Sequence, residues 1–292
     1  MFRGLLYRIL ESTACIWPDK LYIKLRWFAC GLQYPLNLNS PQTFNEKLQW
    51  LKLYDRNPFY SVLCDKYLVK DYIRNHGEGK VKVIPLLGVY DQFEDIDFSK
   101  LPNQFVLKTT HDSGTIIICE DKNRFDIESA KRKLNSRLKV KYWLYDREWP
   151  YKDIKPRIIA EEYMVDDSGF ELKDYKFFCF NGEPHFIQVD YGRFTSHKRN
   201  FYDTNWNRQR FTLCYPTDWG VEIPKPEELD DMLDVVRLLS SGIPHVRVDL
   251  YLINHAIYFG EMTFYHGGGN ESFKPVEWDY KLGELIKLPE RQ

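Results

Sequence analysis

Apolar residues recur three and four apart through the first sixty positions. Thr43 and Glu46 are spaced as a capping box ahead of Leu48, Trp50, Leu51 and Leu53. A helical region over residues 1–62 follows from that pattern. Residues 65–75 read as a further helix stopped by Gly77 and Gly79, and 81–89 as a short strand broken by Pro85, which together outline a first α/β unit over 63–103. The period then changes to two. Strands at 104–109 and 115–119 flank the turn His111-Asp112-Ser113-Gly114 and predict a hairpin. A helix at 127–140 with Lys and Arg on its outer face comes next, then a strand at 157–163. Beyond 171 strands dominate: 174–180 and 183–190 around Asn181-Gly182, then 245–253 and 256–264 after a helix at 227–240. The chain therefore divides at 104–165 and 166–292 into two further units, the last a mostly antiparallel sheet carrying one helix.

Composition narrows the function classes. Of 292 residues 43% are hydrophobic and 16% aromatic, which excludes a disordered or collagen-like chain and provides for a large core. Lys+Arg 41 against Asp+Glu 42 leaves a net charge of −1, so no basic excess favours a nucleic acid and any basic site is local. The six cysteines are far apart and form no CxxC pair, as expected of reduced thiols in a cytoplasmic protein. Residues 1–31 show no signal-peptide core, because Arg3, Arg8, Glu11, Asp19 and Lys20 interrupt it, and no run of about 20 apolar residues occurs anywhere. This basic, aromatic start reads first as a packed or solvated helix, and second as a surface able to rest on anionic lipid at the cytoplasmic face of a membrane.

Three places carry candidate chemistry. Lys108 ends an apolar strand immediately before the small-residue turn containing Ser113 and Gly114, where turn amides and an ammonium can hold a polyphosphate. Glu161 and Glu162 end the strand at 157–163 on opposite faces, and one of them can accept hydrogen bonds from a purine amine or a ribose; Asp174 and Lys176 share a face of the following strand. Strongest is the pair of strands carrying Arg247, Asp249 and Glu261. As an antiparallel pair they set two carboxylates close together, hard oxygen ligands of the kind Mg²⁺ takes along with substrate phosphates. Without a cation the two acids are expected to repel and to have raised pKa values, unless a base such as Arg247 pairs with them.

The order of these stretches, from Thr43-Phe44-Asn45-Glu46 through Cys64-Asp65-Lys66-Tyr67, residues 105–114, 159–164, 174–182, 199–203 and 246–250 to 261–269, resembles the TupA-like branch of the ATP-grasp superfamily, linked to teichuronopeptide and other surface-polysaccharide assembly. The resemblance runs from about residue 40 to the C-terminus. It implies an α+β ATP-grasp fold, two α/β subdomains sandwiching ATP behind the helical lead-in. It implies that Lys108 contacts the ATP phosphates, Ser113 and Gly114 cover them, and Glu161, Glu162 and Met164 border the adenosine. Lys176 meets the transferring phosphate, and Asp249 and Glu261 hold Mg²⁺. The position two beyond the second acid is often Asn in such ligases and is Thr263 here. Arg193, His197 and Arg199 fall where substrate-binding bases can lie, and Arg193 and Arg247 join Lys176 as catalytic candidates.

The implied reaction is ATP-dependent joining of a carboxylate to an amine, both small molecules or glycans, through an acyl phosphate, with polysaccharide-assembly enzymes or the inner membrane as peripheral partners. The alternatives are a glycosyltransferase, for which Asp95-Ile96-Asp97 has the DxD spelling but lies in a polar turn, a sugar kinase on the same fold, and a nucleotide-binding subunit without turnover.

Overall fold

The computed structural model describes residues 2–166, 172–192 and 197–291. Five helices lead: α1 (Phe2–Ser12), α2 (Asp19–Cys30), α3 (Phe44–Tyr54), α4 (Phe59–Cys64) and α5 (Leu68–His76). The capping box forms at the head of α3. Thr43 Oγ1 accepts from the Glu46 N–H at 3.1 Å, and the Glu46 carboxylate accepts from the Thr43 N–H at 3.2 Å. That carboxylate also accepts from the N–H groups of Asn37 and Gln42, both at 2.8 Å, so one buried acid ties the approaching loop to the helix. α5 starts later than the pattern at 65–75 indicates, because the Asp65 carboxylate accepts from the N–H groups of Tyr67 and Leu68 and so precedes the helix.

The single strand expected at 81–89 is two, β1 (Lys82–Val83) and β2 (Leu86–Tyr90), and they belong to different sheets. Pro85 has no N–H to give to a ladder and stands where the chain crosses between them. Next come β3 (Phe105–Thr109), β4 (Ile116–Cys119), α6 (Ile127–Leu138), α7 (Trp143–Asp146) and β5 (Ile158–Glu162). The predicted hairpin is β3–β4, and the smaller sheet runs β2-β5-β3-β4, antiparallel throughout. Ala130 and Leu134 of α6 complete its core with Phe105, Leu107 and Ile158.

The remainder supplies β6 (Asp174–Phe180), β7 (Glu183–Tyr191), β8 (Lys198–Asp203), β9 (Thr212–Leu213), α8 (Leu229–Ser240), β10 (His245–Ile253), β11 (Ala256–Thr263), β12 (Phe273–Lys274) and α9 (Glu277–Leu285). The larger sheet has the order β1-β11-β10-β6-β7-β8, with only β1–β11 parallel. α8 packs on β6, β7 and β10, and Phe44 of α3 meets Phe178 and Phe180 of β6.

Segment 63–103 builds no core of its own. Val69, Ile73 and Val81 join the core of the larger sheet, while Phe93, Ile96 and Leu101 join that of the smaller one. Among the described residues no helix is long and apolar enough to cross a membrane.

Candidate functional site

The two sheets face each other across a cleft of about 200 Å³. The smaller sheet contributes Lys108 at the end of β3, Glu161 near the end of β5, and Ser113 and Gly114 from the hairpin turn; the larger contributes Asp174 and Lys176 of β6, Asp249 of β10 and Glu261 of β11. Lys66 enters from the turn before α5 and Lys70 from its first turn. Four lysines and four carboxylates thus line one space, and Lys70, Lys108 and Lys176 pair with Glu161, Asp174 and Asp249.

On one wall Glu161, 4% exposed, bridges the ammonium groups of Lys70 at 2.5 Å and Lys108 at 2.6 Å. Burial opposes its charge, yet the two lysines hold the Glu161 carboxyl below the ordinary range. Burial pushes the Lys70 ammonium down, with Glu161 acting against it. On the other wall Lys176 donates to Asp249 at 2.5 Å and lies 3.1 Å from Asp174.

Asp249 and Glu261 are direct register partners of β10 and β11. What sets them opposite each other is a bulge: Leu250 pairs with Phe259, so Gly260 is the extra residue. A β-carbon at Gly260 would stand 3.0 Å from the Asp249 carbonyl oxygen, so the bulge suits glycine. Arg247 grips Asp249 with two N–H groups at 2.7 and 2.8 Å, and reaches Glu261 at 3.2 Å, Thr263 at 3.0 Å and His266 at 2.7 Å. At Glu261 the expected rise in pKa therefore does not occur. Burial works against the charge, but Arg247 and then Lys176 hold the Glu261 carboxyl below its usual range. The donor set fits a hard divalent cation. Glu261 Oε1 faces Arg247 and Thr263, while Oε2 has no hydrogen-bond partner among the described residues, and the residue lines the cleft.

The turn over the cleft is fixed from below. Asp112, fully buried, accepts from the hydroxyls of Thr109 and Thr115 and from Arg137 Nε at 2.8 Å, and the Lys66 ammonium donates to its carbonyl. Ser113 and Gly114 remain exposed at the tip, with Gly114 at φ +82°. Asp112→Ala is expected to cost about 2–3 kcal/mol, because Arg137 and two hydroxyls lose a buried acceptor together. Urea unfolding would register it as a lower midpoint at unchanged slope; an unaltered midpoint would mean that the turn is held by its backbone alone.

Other expected residues are placed elsewhere. Glu162 is exposed on the opposite face of β5, as the period of two requires, and half-buried Met164 follows that strand; neither lines the cleft. Arg199 is buried in a bidentate pair with Asp190 at 2.7 and 3.3 Å, and His197 lies 3.5 Å from the same carboxylate, so neither is at the cleft. Arg193 lies outside the described residues. Asp95 and Asp97 are exposed, Asp97 accepting from the Ser99 N–H, in the surface turn where their spelling put them.

The sequence reading missed Lys66 and Lys70; Lys70 lies in the first turn of α5, and Lys66 stands in the turn before it, where no periodicity marks it. It also missed a second chamber of about 280 Å³ that shares Ser113 and Glu261 with the cleft. Into it faces Glu148, 7% exposed, its carboxyl pushed up to about 8 by burial, with Asp146 and Glu261 adding to that shift and Lys52 and Arg247 opposing it. Lys52, itself buried in α3, donates to the carbonyls of Asp146 and Gly268, both at 2.6 Å, and so fixes the chamber floor.

A sequence-family profile described as "TupA-like ATPgrasp" matches residues 46–287. No curated protein sequence matches the chain. Among solved structures it aligns with the D-alanine–D-alanine ligase of Bacillus anthracis complexed with ATP at 16% identity, covering 70% of this chain and 54% of that one, with a TM-score of 0.40. The D-alanine–D-alanine ligase of Helicobacter pylori aligns at 14% identity over 84% of this chain and 69% of that one, TM-score 0.44. The RimK domain protein ATP-grasp from Sphaerobacter thermophilus aligns at 10% identity over 80% and 70%, TM-score 0.43. This chain spans little more than half the length of the Bacillus anthracis ligase.

Proposed function

This chain belongs to the TupA-like ATP-grasp family, and from that premise we propose that it is an ATP-dependent ligase joining a carboxylate to an amine, the carboxylate being a hexuronic acid or similar group of a surface glycopolymer. One observation carries the reading: lysines from α5, β3 and β6 and the opposed pair Asp249 and Glu261 share one cleft between two sheets. Ammonium groups from both walls match an extended polyphosphate, and the two carboxylates match the divalent cation that accompanies it.

Lys66, Lys70 and Lys108 sit beside the Ser113-Gly114 turn and bind the phosphates from the small-sheet side. Lys176 neutralises the transferring group from the other wall. Asp249 and Glu261 would hold Mg²⁺, which would supply charge neutralisation at the distal phosphates. A carboxylate oxygen attacks the γ-phosphorus and ADP leaves. The amine nitrogen, as the free base, then forms a C–N bond as the C–O bond breaks; phosphate leaves with the electron pair and takes up the one proton that the nitrogen loses.

ADP and phosphate, not AMP and pyrophosphate, are the expected products. Hydroxylamine added with Mg-ATP and a panel of uronic acids should trap the acyl phosphate as a hydroxamate, read by mass spectrometry. AMP release, a glycosidic product formed without ATP, or a stable phosphorylated sugar would each replace the ligase reading with another.

A further inference from the structure

We infer that the chamber beside the cleft is the acceptor site, and that it takes a primary amine as its ammonium ion with Glu148 as the anchoring anion. This rests on the ligase reading and adds to it the charge state and the contact residues of the second substrate.

Glu148 is more than nine-tenths buried and faces the chamber, yet it makes no side-chain hydrogen bond or ion pair among the described residues. Such a group is costly to bury unless something satisfies it. The neighbouring cations are committed elsewhere. Arg247 directs Nε and Nη2 at Asp249, Glu261 and Thr263 and one Nη1 N–H at His266. Lys52 donates to Gln49 and to two carbonyls. Asp146, the other acid on the wall, is held by Arg26 at 3.0 Å and by Asn270 at 3.1 Å. Glu148 therefore has the buried Lys52 ammonium nearby as a counter-charge but no hydrogen-bond donor of its own, and burial keeps its carboxyl largely protonated until a further cation enters the chamber.

Its other walls include the rings of Tyr142, Tyr151 and Tyr265. Aromatic faces around a carboxylate are the surroundings that bind an ammonium, whereas a carboxylate ligand would find no free donor cation here. The floor is kept open by Gly268, at φ +61°, where a β-carbon would lie 2.7 Å from Asp146 Cγ. Because Ser113 and Glu261 border both spaces, an amine seated on Glu148 lies next to the place where the acyl phosphate forms.

The test is calorimetric titration of the full chain, with and without Mg-ADP, using ethanolamine, glycinamide and glucosamine, each against its N-acetyl counterpart, and glucuronate as an anionic control. At least one ammonium probe should bind, with its acetylated form at least tenfold weaker. Glu148→Gln should weaken the ammonium probe at least tenfold while Mg-ADP affinity is kept, and Glu148→Asp should lose less. Equal binding of acetylated and free amines, preference for glucuronate, or full amine affinity in Glu148→Gln overturns the assignment. The wild-type comparison of amine with acetylamine stands even where a variant does not fold. Failure here with hydroxamate formation intact removes only the acceptor assignment. Absence of Mg-ADP binding and of hydroxamate removes the ligase reading itself.

Discussion

Glu261→Gln is expected to lower turnover by about 10²–10³-fold while nucleotide affinity stays within a few-fold of wild type, the scale for removing one preorganised electrostatic contact to the reacting group. The amide keeps the size of the side chain and an oxygen for Thr263, but it removes the charge of a residue that lines the cleft. Lys108→Ala should fail differently. It takes an ammonium from the polyphosphate side and leaves Glu161 paired with Lys70 alone, so nucleotide binding weakens first. Titrating Mg-ATP against each variant and measuring single-turnover ADP release separates the two defects. Equal losses of affinity and rate in both, or equal losses of thermal stability with normal activity in the folded fraction, would make these residues structural.

The strand side of this site was readable because its signals are local. Lys108 ends an apolar run before a turn, and the Asn181-Gly182 turn takes positive φ at both residues, +51° and +89°, as a tight hairpin demands. Even the bulge left a trace. Ile257 and Phe259 are buried at odd positions, then Met262 and Phe264 at even ones, a change of phase with Gly260 at the break.

What escaped was built on buried polar groups. β8 buries Arg199 and Asn200 beside Phe201 and Tyr202, the arginine satisfied by Asp190, so half of its inward positions look like surface. α9 buries Asp279 and Gly283 with Leu282 and shows no apolar stripe. Asp279 accepts from the Asn45 N–H at 3.0 Å, and Gly283 lies against Gln42 and Thr43 so closely that a β-carbon would overlap their backbone. Glu148 belongs to the same class: the charges that surround it come from α3, α7, β10 and β11, and no spacing in the sequence announces them.

Arg247→Met tests how far the fold depends on the same charges as the chemistry. The guanidinium is buried and holds Asp249, Glu261, Thr263 and His266 together. Removing one partner of a buried ionic cluster costs about 3–5 kcal/mol, mostly because the remaining charges are left without a counterion. With Arg247 gone, Asp249 keeps among the described residues only Lys176, and Glu261 only the Thr263 hydroxyl. Two opposed carboxylates short of positive charge bind a divalent cation more tightly, so Mg²⁺ should recover part of the lost stability. In chelator-treated protein the variant's melting temperature is expected to fall by more than 5 °C, since a domain of this size shifts by roughly 2–4 °C per kcal/mol. Added Mg²⁺ should raise it further than it raises the wild type, following the linkage between ligand concentration and stability. Equal Mg²⁺ shifts in both proteins would mean that Asp249 and Glu261 are not where the ion binds, and an unchanged melting temperature without Mg²⁺ would mean that the arginine is dispensable to the sheet.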